Sequence, residues 1–364
     1  MRAWTRARAK LKHSAFIELN EEDLIKPFYE GSDIERFKGK RLLAIDGSVI
    51  ALPSSPAIFE AFGEEKVTNQ KEGFSQSYAQ AQCSVLYDLL NHLSLKAQLG
   101  AYRTSELSQA RDLCAKAARK GDIIIADRGY ASTPFMSCAL SAGADFVIRL
   151  PTKSFKQSRG LFTDEKAGRS FVCELSVGEN TIGLPKGEAI KVRLLSLDIP
   201  ETGEREVIAT SLLDEVVFPT SLFGWLYYKR WGIETYYHQL KNRLDLENFS
   251  GLSVESIYQD FYAMLFISNY ETILTKSAQV AFNETRKPSN LPKKINHSVS
   301  YHLIKEYALD LFFSHHPEEV LVRKLSQLFQ MNPHSKRIRP PTQQNNTSPM
   351  ASAKYRKKIR KITF

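Results

Sequence analysis

The sequence has few cysteines and no long apolar segment. Its four cysteines are too far apart for metal-ligand pairs and too few for a disulfide framework in a chain of 364 residues: Cys83, Cys114, Cys138 and Cys173. No stretch approaches the roughly 18 consecutive apolar residues of a membrane helix, and the segment from Met1 to Arg6 lacks the apolar core of a signal peptide. We therefore expect a cytoplasmic protein with reduced cysteines and no membrane partner.

The chain also lacks an internal repeat and a strongly biased composition. Apolar residues make up 43% of the sequence, aromatic residues 11% and charged residues 25%. These proportions exclude wholesale disorder, collagen-like repeats and a coiled-coil rod. At roughly 150 residues per domain, a chain of this length is expected to form two or three domains with a sizeable hydrophobic core.

Positive charge is concentrated at the two ends of the chain. Residues 1–12 contain five lysines and arginines and residues 334–364 contain nine, with no acidic residue in either segment. Because the formal net charge is +10, the residues between these segments carry a net charge of −4. Basic ends favour a polyanionic partner such as nucleic acid, although two solvated tails would give the same pattern.

Each of two apolar runs in the sequence is interrupted or closed by an aspartate. Asp46 interrupts the run over 41–52, and Asp127 closes the short run that begins at Asp122. Both runs predict strands, and open α/β sheets bind ligands at the carboxyl ends of their strands. Since an unpaired buried carboxylate is costly, the two aspartates are candidates for one site. Taken singly, each aspartate also fits a turn or a helix cap.

A third acid lies on a helix predicted over 225–244. Four polar side chains share one face of this helix, because their spacings of three, four and seven residues match its turns: Tyr227, Arg230, Glu234 and Lys241. The pattern fits a ligand-binding stripe, and it also fits solvated charges in which Glu234 pairs with Arg230. Trp225 and Trp231 are expected to be core residues rather than stacking platforms.

The order of the predicted elements is that of a ribonuclease-H-like α/β fold. Three strands come first, followed by a helix, the strand closed by Asp127, another helix and strand, an inserted antiparallel sheet and the Glu234 helix. We divide the chain into an N-terminal helical region (1–40), the first part of the core (41–150), an inserted β subdomain (151–212), the second part of the core with the Glu234 helix and the next helix (213–277), C-terminal helices (278–333) and a basic tail expected to be disordered (334–364).

These segments resemble bacterial insertion-sequence transposases of the DDE superfamily, specifically the insertion-sequence-four type with the signature Y-x2-R-x3-E-x6-K. The resemblance covers roughly residues 4–315. Its motifs are LLAIDGSVIALP (42–53), DIIIADRGYAS (122–132), FVIRLP (146–151) and YYKRWGIETYYHQLKNRLDLENFSG (227–251). It implies a ribonuclease-H-like, retroviral-integrase-like core with an inserted antiparallel β-sheet and flanking helices.

The resemblance also implies roles for individual residues. Asp46, Asp127 and Glu234 would form a catalytic triad that binds Mg²⁺, with Mn²⁺ as a substitute, since hard carboxylate oxygens suit such ions. Three residues would contact DNA phosphates near the reacting end: Tyr227, Arg230 and Lys241. Arg128 is a further candidate phosphate ligand, although pairing with a structural acid is equally consistent with the sequence.

The function implied by this resemblance is cut-and-paste DNA transposition. It consists of Mg²⁺-dependent strand cleavage at transposon ends by a two-metal-ion mechanism, followed by strand transfer into target DNA. The expected partners are double-stranded DNA and a second copy of the chain in the synaptic complex, with association to the nucleoid when DNA is bound.

Two alternatives remain open at the level of the sequence. Because the resemblance begins near Met1, residues 1–40 are expected to be only a remnant of the family's N-terminal DNA-recognition region. The chain could then be a non-catalytic DNA-binding or dimerising inhibitor of a full-length transposase. A structure-specific nuclease on the same fold is the other alternative.

Overall fold

In a computed structural model, the chain forms two compact units: residues 31–261, and residues 1–30 together with 262–364. The structure describes residues 8–31, 34–69, 74–163, 170–177, 189–198, 204–284, 293–313 and 318–335. The basic tail predicted over 334–364 lies outside the described residues except for its first two positions. The six segment boundaries given by the sequence stay predictions.

A mixed β-sheet forms the centre of the unit 31–261. Within the described ranges its nine strands are β1 Arg41–Ala51, β2 Glu64–Asn69, β3 Phe74–Asp88, β4 Leu93–Ala101, β5 Asp122–Ala126, β6 Asp145–Leu150, β7 Ser170–Ser176, β8 Ala189–Asp198 and β9 Arg205–Thr210. The order across the sheet is β2-β3-β1-β5-β6-β9-β8-β7, and β4 pairs with the second half of β3. Strands β1, β5 and β6 are parallel, whereas the other pairs are antiparallel. The predicted α/β class is confirmed.

Helices flank this sheet and build the second unit. In chain order they are α1 Ser14–Asn20, α2 Lys26–Gly31, α3 Pro56–Phe62, α4 Glu106–Ala117, α5 Thr133–Ser141, α6 Arg159–Thr163, α7 Leu222–Lys229, α8 Trp231–Asn242, α9 Val254–Glu284, α10 His297–Glu306, α11 Ala308–Phe313 and α12 Glu318–Met331. A π-helical segment, Glu21–Ile25, lies between α1 and α2. Helix α4 packs on β3 and β4, and α8 packs on β1. Among the described residues, no helix combines the length and apolar character that a membrane span requires.

The two strands that carry the predicted aspartates lie at the centre of the sheet. All five residues of β5 are buried, as expected for a continuous apolar run covered on both faces. The first five residues of β1 are buried as well, and burial is partial over 46–49 before Ile50 is again fully buried. Apolar packing therefore fixes these strands up to the point where the acidic residues begin.

The antiparallel strands predicted within 151–212 continue the central sheet. Strand β9 pairs with β6, with Val147 opposite Thr210 and Leu150 opposite Val207. Strands β8 and β7 follow outward from β9. The insertion thus shares backbone hydrogen bonds with the core instead of forming a separate sheet.

A buried arginine anchors this extension to the segment before α7. Arg193 of β8 is 0% exposed and donates to the Phe218 carbonyl at 2.6 Å and to the Thr220 hydroxyl at 2.7 Å. Its Nε donates to Ser170 Oγ at 2.7 Å, and its guanidinium carbon lies 5.4 Å from the centre of the Phe223 ring. These contacts satisfy a buried cation that would otherwise be very costly.

The unit formed by residues 1–30 and 262–364 is mainly helical in its described part, with one short antiparallel pair of strands, Lys293–Lys294 and His334–Ser335. One apolar cluster consists of Ala278, Ile295, Ile304, Leu325 and Phe329. Beside it, the fully buried Glu271 of α9 accepts hydrogen bonds from His297, at 2.8 Å, and from the Ser300 hydroxyl. Both hydrogen bonds go to Oε1, whereas Oε2 is buried without a hydrogen-bond partner in the described part of the chain. Side chains of α10 thus bind one oxygen of a buried carboxylate of α9 and connect the two helices.

Candidate active site

Asp46 and Asp127 occupy matching positions on two adjacent parallel strands. In the register of β1 and β5, Ala44 pairs with Ile125, and each aspartate follows two residues later. Asp127 keeps an extended backbone, with φ −78° and ψ 174°. Because side chains alternate between the faces of a strand, the two aspartates lie on the same face. The structure therefore brings these two predicted site residues together.

Positive and hydrogen-donating groups surround the Asp127 carboxylate. Its Oδ1 accepts hydrogen bonds from the Tyr227 hydroxyl at 2.9 Å and from Nε of Arg149 at 3.1 Å. Burial acts to raise the pKa of Asp127, but the Arg128 backbone N–H, the Tyr227 hydroxyl and the charges of Arg149 and Arg230 bring it below its usual value. Asp127 is therefore ionised at neutral pH.

Asp46 lies in more negative surroundings than Asp127. Burial is the largest influence and, together with the charges of Glu106 and Glu234, raises the pKa of Asp46 to about 7. The backbone N–H of Gly47 and the charge of Arg230 oppose this rise. A cation placed near Asp46 would favour its ionised form.

The predicted helix over 225–244 is divided at Arg230 into α7 and α8. The backbone N–H of Arg230 donates to the Tyr227 carbonyl at 3.0 Å, and the N–H of Ile233 donates to the Arg230 carbonyl at 3.1 Å. These bonds span three residues and tighten the chain between the two helices. Nη1 of Arg230 also donates to Oε1 of Glu234 at 2.6 Å, which is the pairing that the sequence left open as an alternative.

Arg230 is the cation common to the three predicted catalytic acids. It pairs with Glu234, and its charge favours the ionised forms of Asp46 and Asp127. Its side chain is only 6% exposed, and its Nε is buried without a hydrogen-bond partner in the described part of the chain. Since a buried N–H without an acceptor is costly, this guanidinium has a donor that a ligand could satisfy.

Helix α8 is attached to β1 by two side chains one turn apart. The Tyr237 hydroxyl donates to the Asp46 carbonyl at 2.9 Å. Nζ of Lys241 donates to Ser48 Oγ and to the Val49 carbonyl, both at 2.7 Å. These bonds hold the helix against β1, and Lys241 is the residue of the predicted stripe that makes them together with Tyr237. The predicted contact of Lys241 with a DNA phosphate stays a prediction.

Trp225 and Trp231 are 43% and 49% exposed, so the prediction that they are core residues is wrong. The Lys229 amine lies 5.1 Å from the centre of the Trp225 ring, and the guanidinium carbon of Arg230 lies 5.1 Å from the Trp231 ring. Cations are attracted to aromatic faces, so these rings gain contacts at the surface that the spacing of apolar residues does not reveal.

Two residues of the site, Glu106 and Arg149, are absent from the predicted set. Glu106 lies at the start of a helix that the sequence predicts from the cap at Thr104-Ser105-Glu106 and from the apolar positions that follow, and the sequence marks Glu106 itself only as part of that cap. Arg149 also pairs with Glu206, and its signal in the sequence is a charge inside the otherwise apolar run over 146–150. Arg128, which belongs to the predicted set, is exposed beside Asp127, and its contact with phosphate stays a prediction.

The donor chemistry of the site fits a divalent cation such as Mg²⁺. Across the described ranges, no three His, Cys, Asp or Glu side chains are grouped as a complete metal site. Asp46, Asp127 and Glu234 would nevertheless supply the hard oxygen ligands that Mg²⁺ prefers. The pKa of Asp46 is raised by burial and, to a lesser extent, by the charges of Glu106 and Glu234, and a cation would oppose both influences. Their role as metal ligands stays a prediction.

Comparison with known proteins points in the same direction. The family model described as a transposase DDE domain matches residues 37–270, a range that contains both aspartates and the Glu234 helix. The mixed sheet with flanking helices agrees with the ribonuclease-H-like core expected from the sequence.

A curated bacterial protein is similar over the same region. The transposase InsG for insertion sequence element IS4 of Escherichia coli (strain K12) is 25% identical over 235 residues. The match covers 64% of this chain and 51% of that protein. The chain thus spans about half the length of the curated relative that it matches.

Proposed function

The chain belongs to the transposase DDE domain family, and we propose that it cleaves DNA strands at transposon ends and transfers them into target DNA in a Mg²⁺-dependent reaction. The substrate is double-stranded DNA. Because two transposon ends must be held together for transfer, we propose a homodimer as the active assembly. Mn²⁺ is proposed to substitute for Mg²⁺.

The observation that carries this proposal is the register of β1 and β5. It gives Asp46 and Asp127 matching positions just beyond the carboxyl ends of the segments over which the two parallel strands pair, and α/β sheets usually bind their ligands at the carboxyl ends of strands. Helix α8, which carries Glu234, is bound to β1 through Tyr237. If the two aspartates had only a structural role, we would expect a cation to compensate each of them and to keep its pKa low. Instead, the pKa of Asp46 is raised to about 7.

Cleavage of a phosphodiester requires an activated oxygen nucleophile and stabilisation of the charge that develops on the phosphate. Bound Mg²⁺ would supply both, by activating the attacking oxygen and by neutralising phosphate oxygens. Asp46, Asp127 and Glu234 would hold the cation. Tyr227 and Arg149 orient the Asp127 carboxylate by hydrogen bonds.

The basic side chains of the site are proposed to bind the DNA backbone. Arg230 uses Nη1 for Glu234, whereas its buried Nε has no partner among the described residues. A guanidinium with a remaining donor suits a phosphate oxygen. Arg128 is exposed beside the acids and would contact the same backbone, with Tyr227 and Lys241 completing the set.

The test is strand cleavage by the purified full chain on DNA that carries the inverted repeats flanking its gene. We expect nicks at the repeat ends only when Mg²⁺ or Mn²⁺ is present. Asp127→Asn should reduce cleavage by roughly 10²–10³-fold or more, since it removes a carboxylate from the cation site, while DNA binding in a gel-shift assay persists. The matched control is Asp112→Asn, which removes an exposed acid of α4 and should cleave normally.

Other outcomes would favour the alternatives. Binding to repeat DNA without cleavage in either metal ion would support a non-catalytic inhibitor. Equal cleavage of unrelated DNA structures would support a nuclease. Full activity of Asp127→Asn would contradict the triad itself.

A further inference from the structure

Glu106 connects the two chain segments that follow the aspartates. Its Oε1 accepts hydrogen bonds from the Gly47 backbone N–H at 3.0 Å and from the Tyr130 hydroxyl. Gly47 directly follows Asp46, and Tyr130 ends the 3₁₀ turn that follows Asp127. One carboxylate oxygen thus joins β1 to the turn after β5, immediately beyond both acids.

The glycine at position 47 is explained by the approach of Glu106. A Cβ added to Gly47 would lie 2.6 Å from both Cγ and Cδ of Glu106, which is closer than such atoms can pack. The backbone of Gly47 does not have a positive φ, so any side chain is excluded by space and not by conformation. A larger residue would push the Glu106 side chain away and break its hydrogen bonds.

The start of α4 fixes Glu106 in this position. Glu106 is the first residue of the helix, and Ser105 caps it by accepting a hydrogen bond from the Ser108 N–H at 3.4 Å. Negative charge is favoured in the first turn of a helix. Burial raises the pKa of Tyr130, so its hydroxyl retains the proton that it donates to Glu106.

We propose that Glu106 is a positioning residue of the active site, which fixes the backbone beyond Asp46 and Asp127 and adds a negative charge that favours the bound cation. This inference rests on the proposed Mg²⁺-dependent function. Glu106 acts through its neighbours: its hydrogen bonds hold the two segments at a constant separation, and the separation of the aspartates follows from it. Residues that orient metal ligands typically change metal affinity by about 10–100-fold when removed.

The test measures Mg²⁺ affinity separately from activity. Titration of the full chain with magnesium chloride, without DNA, is followed by isothermal titration calorimetry and by the increase of the melting temperature. We expect Glu106→Ala to weaken Mg²⁺ binding by about 10–100-fold. Glu106→Gln should weaken it less, because an amide oxygen still accepts both hydrogen bonds while the charge is lost. Asp112→Asn, the same charge change on an exposed position of the same helix, should bind Mg²⁺ as the unmodified chain does.

A purely structural role would give a different result. It would lower the melting temperature without changing the Mg²⁺ affinity of the folded protein, and unchanged affinity in both Glu106 variants would overturn the proposal. If Glu106→Ala does not fold, Glu106→Gln decides the question, because it preserves the size of the side chain and both acceptor contacts.

The outcome can be separated from that of the proposed function. Mg²⁺ binding that depends on Glu106 in a chain without cleavage activity would support this inference and contradict the proposed function. Mg²⁺-dependent cleavage with an affinity indifferent to Glu106 would do the opposite. A chain that binds no Mg²⁺ would contradict both.

Discussion

Arg41 and Asp122 face each other at the amino ends of β1 and β5, whereas Asp46 and Asp127 hold matching positions just beyond the carboxyl ends of the segments over which these two strands pair. At the amino ends, Nε and Nη2 of Arg41 donate to the two oxygens of Asp122, both at 2.7 Å. The two side chains are only 7% and 2% exposed. At the carboxyl ends, two acids stand side by side and the pKa of Asp46 is raised to about 7.

The comparison shows two uses of charge on one pair of strands. The buried Arg41 and Asp122 satisfy each other, so their charges serve the fold. At the carboxyl ends Asp127 has compensating cations, but burial and the charges of Glu106 and Glu234 disfavour the ionised form of Asp46, so ionising Asp46 lowers the stability of the folded chain unless a ligand balances its charge. Removing the charge of Arg41 and removing the charge of Asp46 should therefore change stability in opposite directions, and this contrast can be measured.

The largest expected effect is at the amino ends. Arg41→Met leaves the Asp122 carboxylate buried without its cation, and we expect a loss of about 3–5 kcal/mol in the free energy of unfolding. Urea denaturation at pH 7 measures it. The double variant Arg41→Met/Asp122→Leu should recover part of the loss, because no charge then stays buried. A loss below about 1 kcal/mol in the single variant would break the contrast.

At the carboxyl ends, Asp46→Asn should stabilise the folded chain. In the folded state Asp46 keeps its proton up to about pH 7, whereas its unperturbed pKa is 3.8. The stability that the protonated group contributes is therefore lost as the pH rises towards 7. An asparagine has no charge to bury, so the gain should be absent near pH 4 and about 2–4 kcal/mol at pH 8.

Denaturation of the chain and of Asp46→Asn at pH 4, 6 and 8 checks this gain. Added Mg²⁺ should raise the melting temperature of the unmodified chain at pH 8 and leave that of the variant nearly unchanged. Asp112→Asn serves again as the control for an exposed acid. A variant that is less stable than the unmodified chain at pH 8 would show that Asp46 is structurally compensated.

The smallest effect is expected at Arg149, which compensates only the Asp127 side of the acidic pair. The pKa of Asp127 is lowered, so its contribution to stability is present above pH 3.8 and lost as the pH falls through the folded-state pKa. Arg149→Met should therefore cost about 1 kcal/mol at pH 7 and less at pH 3. Thermal unfolding at the two pH values gives the difference.

The control for Arg149 is another arginine at the surface of the same sheet. Arg205 pairs with Asp198 at 3.0 Å, and this aspartate is 47% exposed. Exposed pairs contribute little, so Arg205→Met should have a smaller effect than Arg149→Met, without pH dependence. Equal losses in the two variants would mean that Arg149 has no special relation to Asp127.

The two strands could be predicted because their signal is local. A run of apolar residues closed by an acid indicates a buried strand whose end is accessible, and Asp127 follows this rule. Asp46 only interrupts its run, and β1 continues past it to Ala51. The pairing of β1 with β5 is not local. No periodicity shows that Ala44 lies opposite Ile125, and the apposition of the two aspartates depends on that register.

The pairing of Arg230 with Glu234 joins residues four apart and was open from the sequence, but other contacts of the site could not be predicted because they join residues far apart in the chain. Lys241 shares a helix face with Glu234 as predicted, yet its amine binds the backbone of β1 at Val49. Glu106 carries the sequence signal of an ordinary helix start, and only its contact with Gly47 reveals another role. The spacing of residues along the sequence does not show which distant residues a side chain contacts in the folded chain.

Because of Arg193, strands β7 to β9 cannot be replaced by the strands of an arbitrary relative without affecting the rest of the chain. Its guanidinium holds Phe218 and Thr220 directly ahead of α7, and α7 leads into the Glu234 helix. In a chimera, these strands could come from a relative that lacks such an arginine, and every backbone pairing of the strands would be kept. The hydrogen bonds to the segment before α7 would be lost, so the start of α7 would no longer be fixed. Variation among relatives should therefore be restricted at this buried cation.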